Sequence, residues 1–153
     1  MAVQDPPLGT GHAVLAAREA LQAAHDELER KVEQRTADLS AANGSLTMAA
    51  DATVTATGNA RLAAVGDISL GLVTASQVSL LASGLISDAH TAGDTTLNVV
   101  ASALRVNAAA WGTSANAVEI NVPLLSAAVG KQGLFAASLG NVNLGTTAAI
   151  SVN

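Results

Sequence analysis

Cysteine and tyrosine are absent from this 153-residue chain, and its aromatic side chains are a single tryptophan and a single phenylalanine, Trp111 and Phe135. Without cysteine there is neither a disulfide framework nor a thiolate metal site. With so few aromatics the interior has to be filled by Ala, Val, Leu and Ile, which suit a narrow, regularly stacked core. Half the residues are apolar, yet Gly, Asn, Asp, Ser and Thr interrupt them throughout, so no run has membrane-spanning length and no membrane insertion is expected. No basic cluster follows Arg35, and the net charge is -5 with a pI near 4.9. That balance excludes nucleic acid as an expected partner, because phosphate binding needs grouped Lys and Arg. The first residues, MAVQDPPLGTGH, lack the basic start and apolar run of a secretory signal.

Charge is distributed unevenly. Eleven charged residues fall before residue 45, from Asp5 to Asp38, and eight fall in all that follows: Asp51, Arg61, Asp67, Asp88, Asp94, Arg105, Glu119 and Lys131. Two regions built on different principles are implied. Residues 1–9, with Pro6 and Pro7, read as a disordered tail. From Thr10 to Gly44 the chain is rich in Ala, Leu, Glu, Arg and Gln, good helix formers. Thr10 suits the N-cap and Asn43-Gly44 the stop. A helix over 10–44 is therefore expected, roughly 50 Å long at about 1.5 Å per residue. Leu21, Leu28, Val32 and Leu39 are spaced seven, four and seven apart, with Leu46 beyond them. That is a coiled-coil a/d seam, and the simplest partner for it is a second copy of the chain.

The run "LERKVEQRTADLSAAN" resembles the coiled-coil linker of sensor histidine kinases, with Leu28, Val32, Arg35, Thr36, Leu39 and Asn43 at the matching positions. The resemblance implies a dimerising helix that relays a signal. The catalytic core that such a linker drives has no counterpart after Asn43: neither a phospho-acceptor box nor an ATP lid follows. His25-Asp26 is read as an ordinary linker pair, not a phospho-acceptor.

After Gly44 the hydrophobic period changes to two, in short Val- and Leu-rich segments such as "ATVTAT", "QVSLLA", "ALRVNAA" and "AVEINV". The segments "GNARL", "GDISL", "GDTTL" and "GNVNL" repeat a corner motif, with the pairs Gly58-Asn59, Gly66-Asp67, Gly93-Asp94 and Gly140-Asn141 as turns ahead of an inward leucine. Related strands recur every fourteen to nineteen residues, the length of one coil of a parallel β-solenoid. A β-sandwich of short strands is the rival. Small interior residues, short strands and the repeated corner favour the solenoid over residues 45–153.

The stretch "GLISDAHTAGDTTLNVVASALRVNAAAWGTSANAVEINVPLLSAAVGKQGLFAASLGNVNLG", Gly84 to Gly145, resembles the repeat region of giant filamentous-haemagglutinin-like bacterial adhesins. The resemblance implies a right-handed parallel β-helix used as a surface stalk, secreted or at the cell surface. Together with the expected helix, the fold class is mostly β: a parallel β-helix with an N-terminal α-helical coiled-coil extension. The sequence ends at "AAISVN" within a strand pattern. An uncapped stack is expected there, with self-association through that end and the helix, and with the chain a fragment or a fusion.

Residues able to carry chemistry are sparse. Asp67, Asp88, Asp94 and Glu119 read as isolated carboxylates, Asp67 and Asp94 as corner residues bonding their own backbone, Glu119 as solvent-facing between Val118 and Ile120. His12, His25 and His90 show no i, i+4 pairing of the zinc type, and the one-aspartate "GDTTLN" and "GDISLG" lack the glycines of a calcium nonapeptide. The expectation is therefore no catalytic, cofactor or metal site. Trp111 is expected to cover a core edge. A non-catalytic adhesin-like structural segment is the reading these features support, with a host or carbohydrate surface as ligand left open. A signal-relay fragment and a carbohydrate-binding solenoid are the alternatives; the latter gains if the fold brings Asp88, Asp94 and Glu119 together.

Overall fold

A computed structural model describes residues 17–25, 37–41 and 44–146 of the chain, which divides into two units, Met1–Gln34 and Arg35–Asn153. In the first unit, residues 17–25 form a helix, α1, whose described positions are all exposed, Leu21 at 74%. The seam residues Leu28 and Val32 lie outside the described residues, as do residues 1–9.

The second unit is a parallel β-solenoid of about five coils. The first coil carries β1 (Ala37–Ala41), β2 (Leu46–Thr47) and β3 (Thr53–Thr55). The second carries β4 (Asn59–Ala64), β5 (Ile68–Leu70) and β6 (Leu72–Thr74), and the third β7 (Gln77–Ala82), β8 (Leu85–Asp88) and β9 (Val99–Val100). The fourth has β10 (Ala103–Ala108), β11 (Ala110–Trp111) and β12 (Val118–Asn121). The fifth has β13 (Leu124–Val129) and β14 (Ala136–Ser138), and β15 (Asn143–Leu144) opens a further pass. Stacking gives three parallel sheets, ordered β1-β4-β7-β10-β13-β15, β2-β5-β8-β11 and β3-β6-β9-β12-β14.

The register explains the composition. Each sheet places like residues over like: Ala60, Val78, Leu104 and Leu125 on the first, Leu46, Ile68, Ile86 and Trp111 on the second, Val54, Val73, Val99 and Ile120 on the third. Side chains alternate across a strand, so these columns share the inward face. Every one of them from Ala60 onward in the first sheet, and from the second coil onward in the others, is almost completely buried. Arg61, Ser79 and Arg105 stand in register on the outward face of the first sheet. An interior one residue wide has no room for rings from three sides, which is why a single tryptophan at one level suffices.

Between β5 and β6 the chain turns on Gly71 alone. A Cβ there would run into the carbonyl oxygens of Ala49 and Ala52 in the coil beneath, so close stacking of backbones requires glycine at this corner.

One expectation is corrected here. The helix predicted over 10–44 does not reach its C-terminal end, because Ala37–Ala41 is strand β1, with Leu39 opposite Leu62 in the ladder. Leu46 lies in β2, opposite Ile68 and partly buried against the core. Ala37, Leu39 and Ala41 repeat the period-two spacing of Ala60, Leu62 and Ala64, and the free edge of β4 supplies unpaired N–H and C=O groups. Those satisfied backbone groups outweigh the helix propensity of five residues, which is at most a few tenths of a kcal/mol each.

Candidate functional site

The coils differ in length, and the longest carries the site. Ala60 to Val78 spans 18 residues, whereas Val78 to Leu104 spans 26. The eight additional residues fall between β8 and β9, where Leu70 and Val73 of the second coil stand opposite Asp88 and Val99 of the third. At Asp88, then, a carboxylate occupies the column position that leucine fills one coil below.

Burying that carboxylate requires partners, because an unpaired charge in an apolar interior costs several kcal/mol. Asp88 Oδ1 accepts from the His90 amide at 2.9 Å, from Asn98 Nδ2 at 2.6 Å and from the His90 ring, whose Nδ1 lies 2.7 Å away. Asn98 is fully buried and joins three coils. Its Nδ2 also donates to the carbonyls of Leu70 (3.1 Å) and Gly71 (3.3 Å), and its Oδ1 accepts from the Glu119 amide at 2.9 Å. Its backbone continues the ladder, with N–H to the Glu119 carbonyl and C=O from the Val73 amide. Among the described residues the buried polar or charged side chains are Asp88, Asn98 and Glu119. All three are here.

The inserted loop, residues 89–97, turns at Gly93, which has φ +83°, a left-handed conformation suited to glycine. Asp94 follows and caps its own turn, Oδ1 accepting from the Thr96 amide at 2.6 Å. From the next coil, Asn116 donates to the His90 carbonyl at 3.3 Å. Asp88, His90 and Asp94 each bring one ligand-capable atom within 4.8 Å of the others. Asp94 and Glu119 line a shallow cleft of about 150 Å³ with Thr95, Leu97, Ala137, Ser138 and Leu139. One oxygen of each carboxylate, Asp88 Oδ2, Asp94 Oδ2 and Glu119 Oε2, has no hydrogen-bond partner although it is inaccessible.

Electrostatics follow from this crowding. Burial pushes the Asp88 carboxyl up, but hydrogen bonds from the His90 amide, Asn98 and the His90 ring outweigh it and hold Asp88 below its ordinary range. Burial pushes His90 down, and the Asp88 carboxylate, Asp94 and the Ala50 carbonyl more than reverse it, so His90 titrates above the ordinary histidine range. Glu119 is pushed up, by burial first and then by Asp88 and Asp94.

Comparison with protein-family models, curated proteins and solved structures finds no match to this chain. The site therefore stands on its own geometry.

Several expectations change in the fold. Asp88, Asp94 and Glu119, isolated in the sequence, are neighbours, and Glu119 is buried at 8% exposure where solvent was expected. The inserted segment meets it there: Asp94, Thr95 and Leu97 line one cleft with Glu119, a neighbour that strand alternation alone does not foresee. Asp94 bonds its own turn as expected, but Asp67 reaches the next coil, its Oδ1 accepting from the Leu85 amide at 2.7 Å. Gly58-Asn59 enters β4, Gly66-Asp67 lies between β4 and β5, and Gly140-Asn141 lies between β14 and β15, whereas Gly93-Asp94 lies within the insertion. Trp111 is fully buried in the second sheet's column, its indole Nε1 without a partner. His12 lies outside the described residues, and His25 ends α1. Asn98 escaped the sequence reading altogether; its only signal was an Asn just ahead of a Val-Val strand, at the position leucine holds one coil below.

Proposed function

We propose that this chain is a non-catalytic structural segment of a bacterial surface adhesin-like solenoid, a right-handed parallel β-helix acting in attachment or assembly. The observation that supports this reading is the unbroken register of aliphatic columns over successive coils. Such a stack is a sum of neighbour-to-neighbour interfaces, which suits an extended stalk. The adhesin-like run of residues 84–145 begins after β7 in the third coil and continues through the fourth and fifth. The reading is tested by incubating the full chain with uronate-containing and neutral polysaccharides while following reducing and unsaturated ends. No release is expected; release that Glu119→Gln abolishes overturns the non-catalytic reading.

One observation favours the carbohydrate-binding alternative: Asp94, Glu119, Thr95 and Ser138 line one cleft. Carboxylates and hydroxyls side by side are suited to sugar hydroxyls, which donate and accept together. Glycan binding that Asp94→Ala removes would move the assignment from stalk to recognition module. The signal-relay alternative rests on the linker pattern, most of which lies outside the described residues.

A further inference from the structure

We propose that Asp88, His90 and Asp94 form a binding site for a divalent first-row transition ion of the Zn²⁺ or Mn²⁺ class, which fastens the inserted loop to the third coil. This goes beyond the stalk reading and does not depend on it. Four observations converge. The first is placement: one donor atom from each of the three residues lies within 4.8 Å of the other two. Ligands of a single such ion stand about 3 Å apart, given bonds of roughly 2.0–2.1 Å. The loop needs to close by only about an ångström or two, and Asp94 sits beyond Gly93, where the loop has freedom to do so.

The second is unused bonding capacity. The Asp88 side chain is inaccessible to solvent, and its Oδ2 has no partner, while Oδ1 takes the bonds from His90 and Asn98. Asp94 is divided the same way, Oδ1 on its own turn and Oδ2 unpartnered. Buried polar atoms are almost always satisfied in folded proteins. Two carboxylates that each keep one oxygen back, six residues apart in the same insertion-bearing segment, point to a shared occupant.

The third is charge. A third carboxylate, the buried Glu119, also has an unpartnered oxygen and is close enough to feel Asp88 and Asp94. Against three carboxylates the described protein sets one imidazole. Even fully protonated, His90 offsets only one of the three negative charges; a dication with His90 neutral as its ligand offsets two. The fourth is donor type. An imidazole nitrogen beside carboxylate oxygens suits Zn²⁺ or Mn²⁺, whereas Ca²⁺ and Mg²⁺ take all-oxygen sites. When the ion binds, the proton between the His90 ring and Asp88 leaves to solvent and a nitrogen–metal bond replaces it.

The test is calorimetric titration of the chelator-treated full chain with ZnCl₂, MnCl₂ and CaCl₂, with thermal melting alongside. Zn²⁺ or Mn²⁺ is expected to bind with a Kd of about 10 µM or tighter and to raise the melting midpoint, as linkage requires. Ca²⁺ is expected to bind at least tenfold more weakly. Asp94→Asn carries the site assignment, because Asp94 bonds only its own turn among the described residues and its loss leaves the core intact; it is expected to weaken Zn²⁺ at least tenfold. Asp88→Asn is the second variant, read where circular dichroism shows it folded. Unchanged Zn²⁺ affinity in Asp94→Asn overturns the site. Tighter binding of Ca²⁺ than of either transition ion overturns the ion class. Neither heat nor a shift in melting with any of the three salts overturns the proposal entirely.

Discussion

The second and third coils of the solenoid are built on the same three sheets and in the same register, but differ at one corner. In the second, Leu70 and Leu72 are joined by Gly71 and the interior is aliphatic throughout. In the third, the leucine is Asp88, the corner is eight residues longer, and a fully buried asparagine re-enters the ladder. The stack tolerates this because the coils meet only their neighbours. A polar corner in one coil has to be matched by the coil below, through the carbonyls of Leu70 and Gly71, and the coil above, through Glu119. The rest of the column is untouched: Val73, Val99 and Ile120 continue in line. A parallel solenoid can therefore specialise one coil without redesigning the others.

The largest effect that separates the coils should come from moving the charge one level down. Leu70→Asp puts a carboxylate at the position corresponding to Asp88 but without an inserted histidine to meet it. A loss of about 4 kcal/mol or more is expected, enough to unfold the protein under mild conditions, as read by urea denaturation. Tolerance of Leu70→Asp with less than about 1 kcal/mol lost would mean that the asparagine and histidine are not what makes Asp88 bearable.

Asn98→Ala should be next. It removes donors from the Leu70 and Gly71 carbonyls and from Asp88, and an acceptor from the Glu119 amide, all in the interior. Leaving such groups unpaired costs about 1–3 kcal/mol apiece, discounted because the Leu70 carbonyl also accepts from the Ala89 amide. A net loss of about 3 kcal/mol is expected in the same denaturation experiment. A variant as stable as the parent would break the view that Asn98 ties three coils together.

How much of this was legible in the sequence differs between the two coils for a physical reason. The columns of the second coil are written in period-two alternation, and the corner glycines mark where it breaks, so parallel coils could be expected from residues 45 onward. The strand at Ala37–Ala41 was hidden because Ala, Leu and Asp there also fit a helix, and only the presence of β4 as an edge decides between them. The site was hidden for another reason. Asp88, Asp94, Asn98 and Glu119 are joined across 31 residues by coil stacking, and their grouping depends on which coil is longer. Spacing alone reads as scattered carboxylates; an Asp-x-His-x-x-x-Asp run inside the longest coil is visible as a cluster only once the register is known.

Glu119→Gln probes the site from the fourth coil, with a smaller effect of opposite sign. The Glu119 carboxyl is raised by burial and by Asp88 and Asp94. The folded state therefore holds its proton more tightly than the unfolded state, so stability is lost as pH rises from the unfolded value and the loss is complete above the folded one. Removing the charge should stabilise the chelator-treated protein at pH 7, by less than Asn98→Ala destabilises it. The gain should shrink as pH falls and vanish near pH 4, where the acid is protonated in both states. A gain that persists unchanged at pH 4 would assign the effect to packing and not to charge.

The smallest change in stability should follow from the most drastic edit. Deleting residues 90–97 with Asp88→Leu, Ala89→Gly and Asn98→Leu rewrites the long corner as Leu-Gly-Leu-Val, the sequence of the short one from Leu70 to Val73. The edit removes the buried charge and the asparagine that answers it together, and replacing both members of a buried polar pair by apolar groups is close to neutral. It shortens a loop, which favours folding slightly, and leaves Glu119 facing water, where a carboxylate is at ease. A chelator-treated melting midpoint within about 5 °C of the parent is expected, near 1 kcal/mol either way, with loss of all Zn²⁺ binding at this corner. If the edited chain instead fails to fold, the long corner is part of what closes the stack, and the two coils are not variants of one frame.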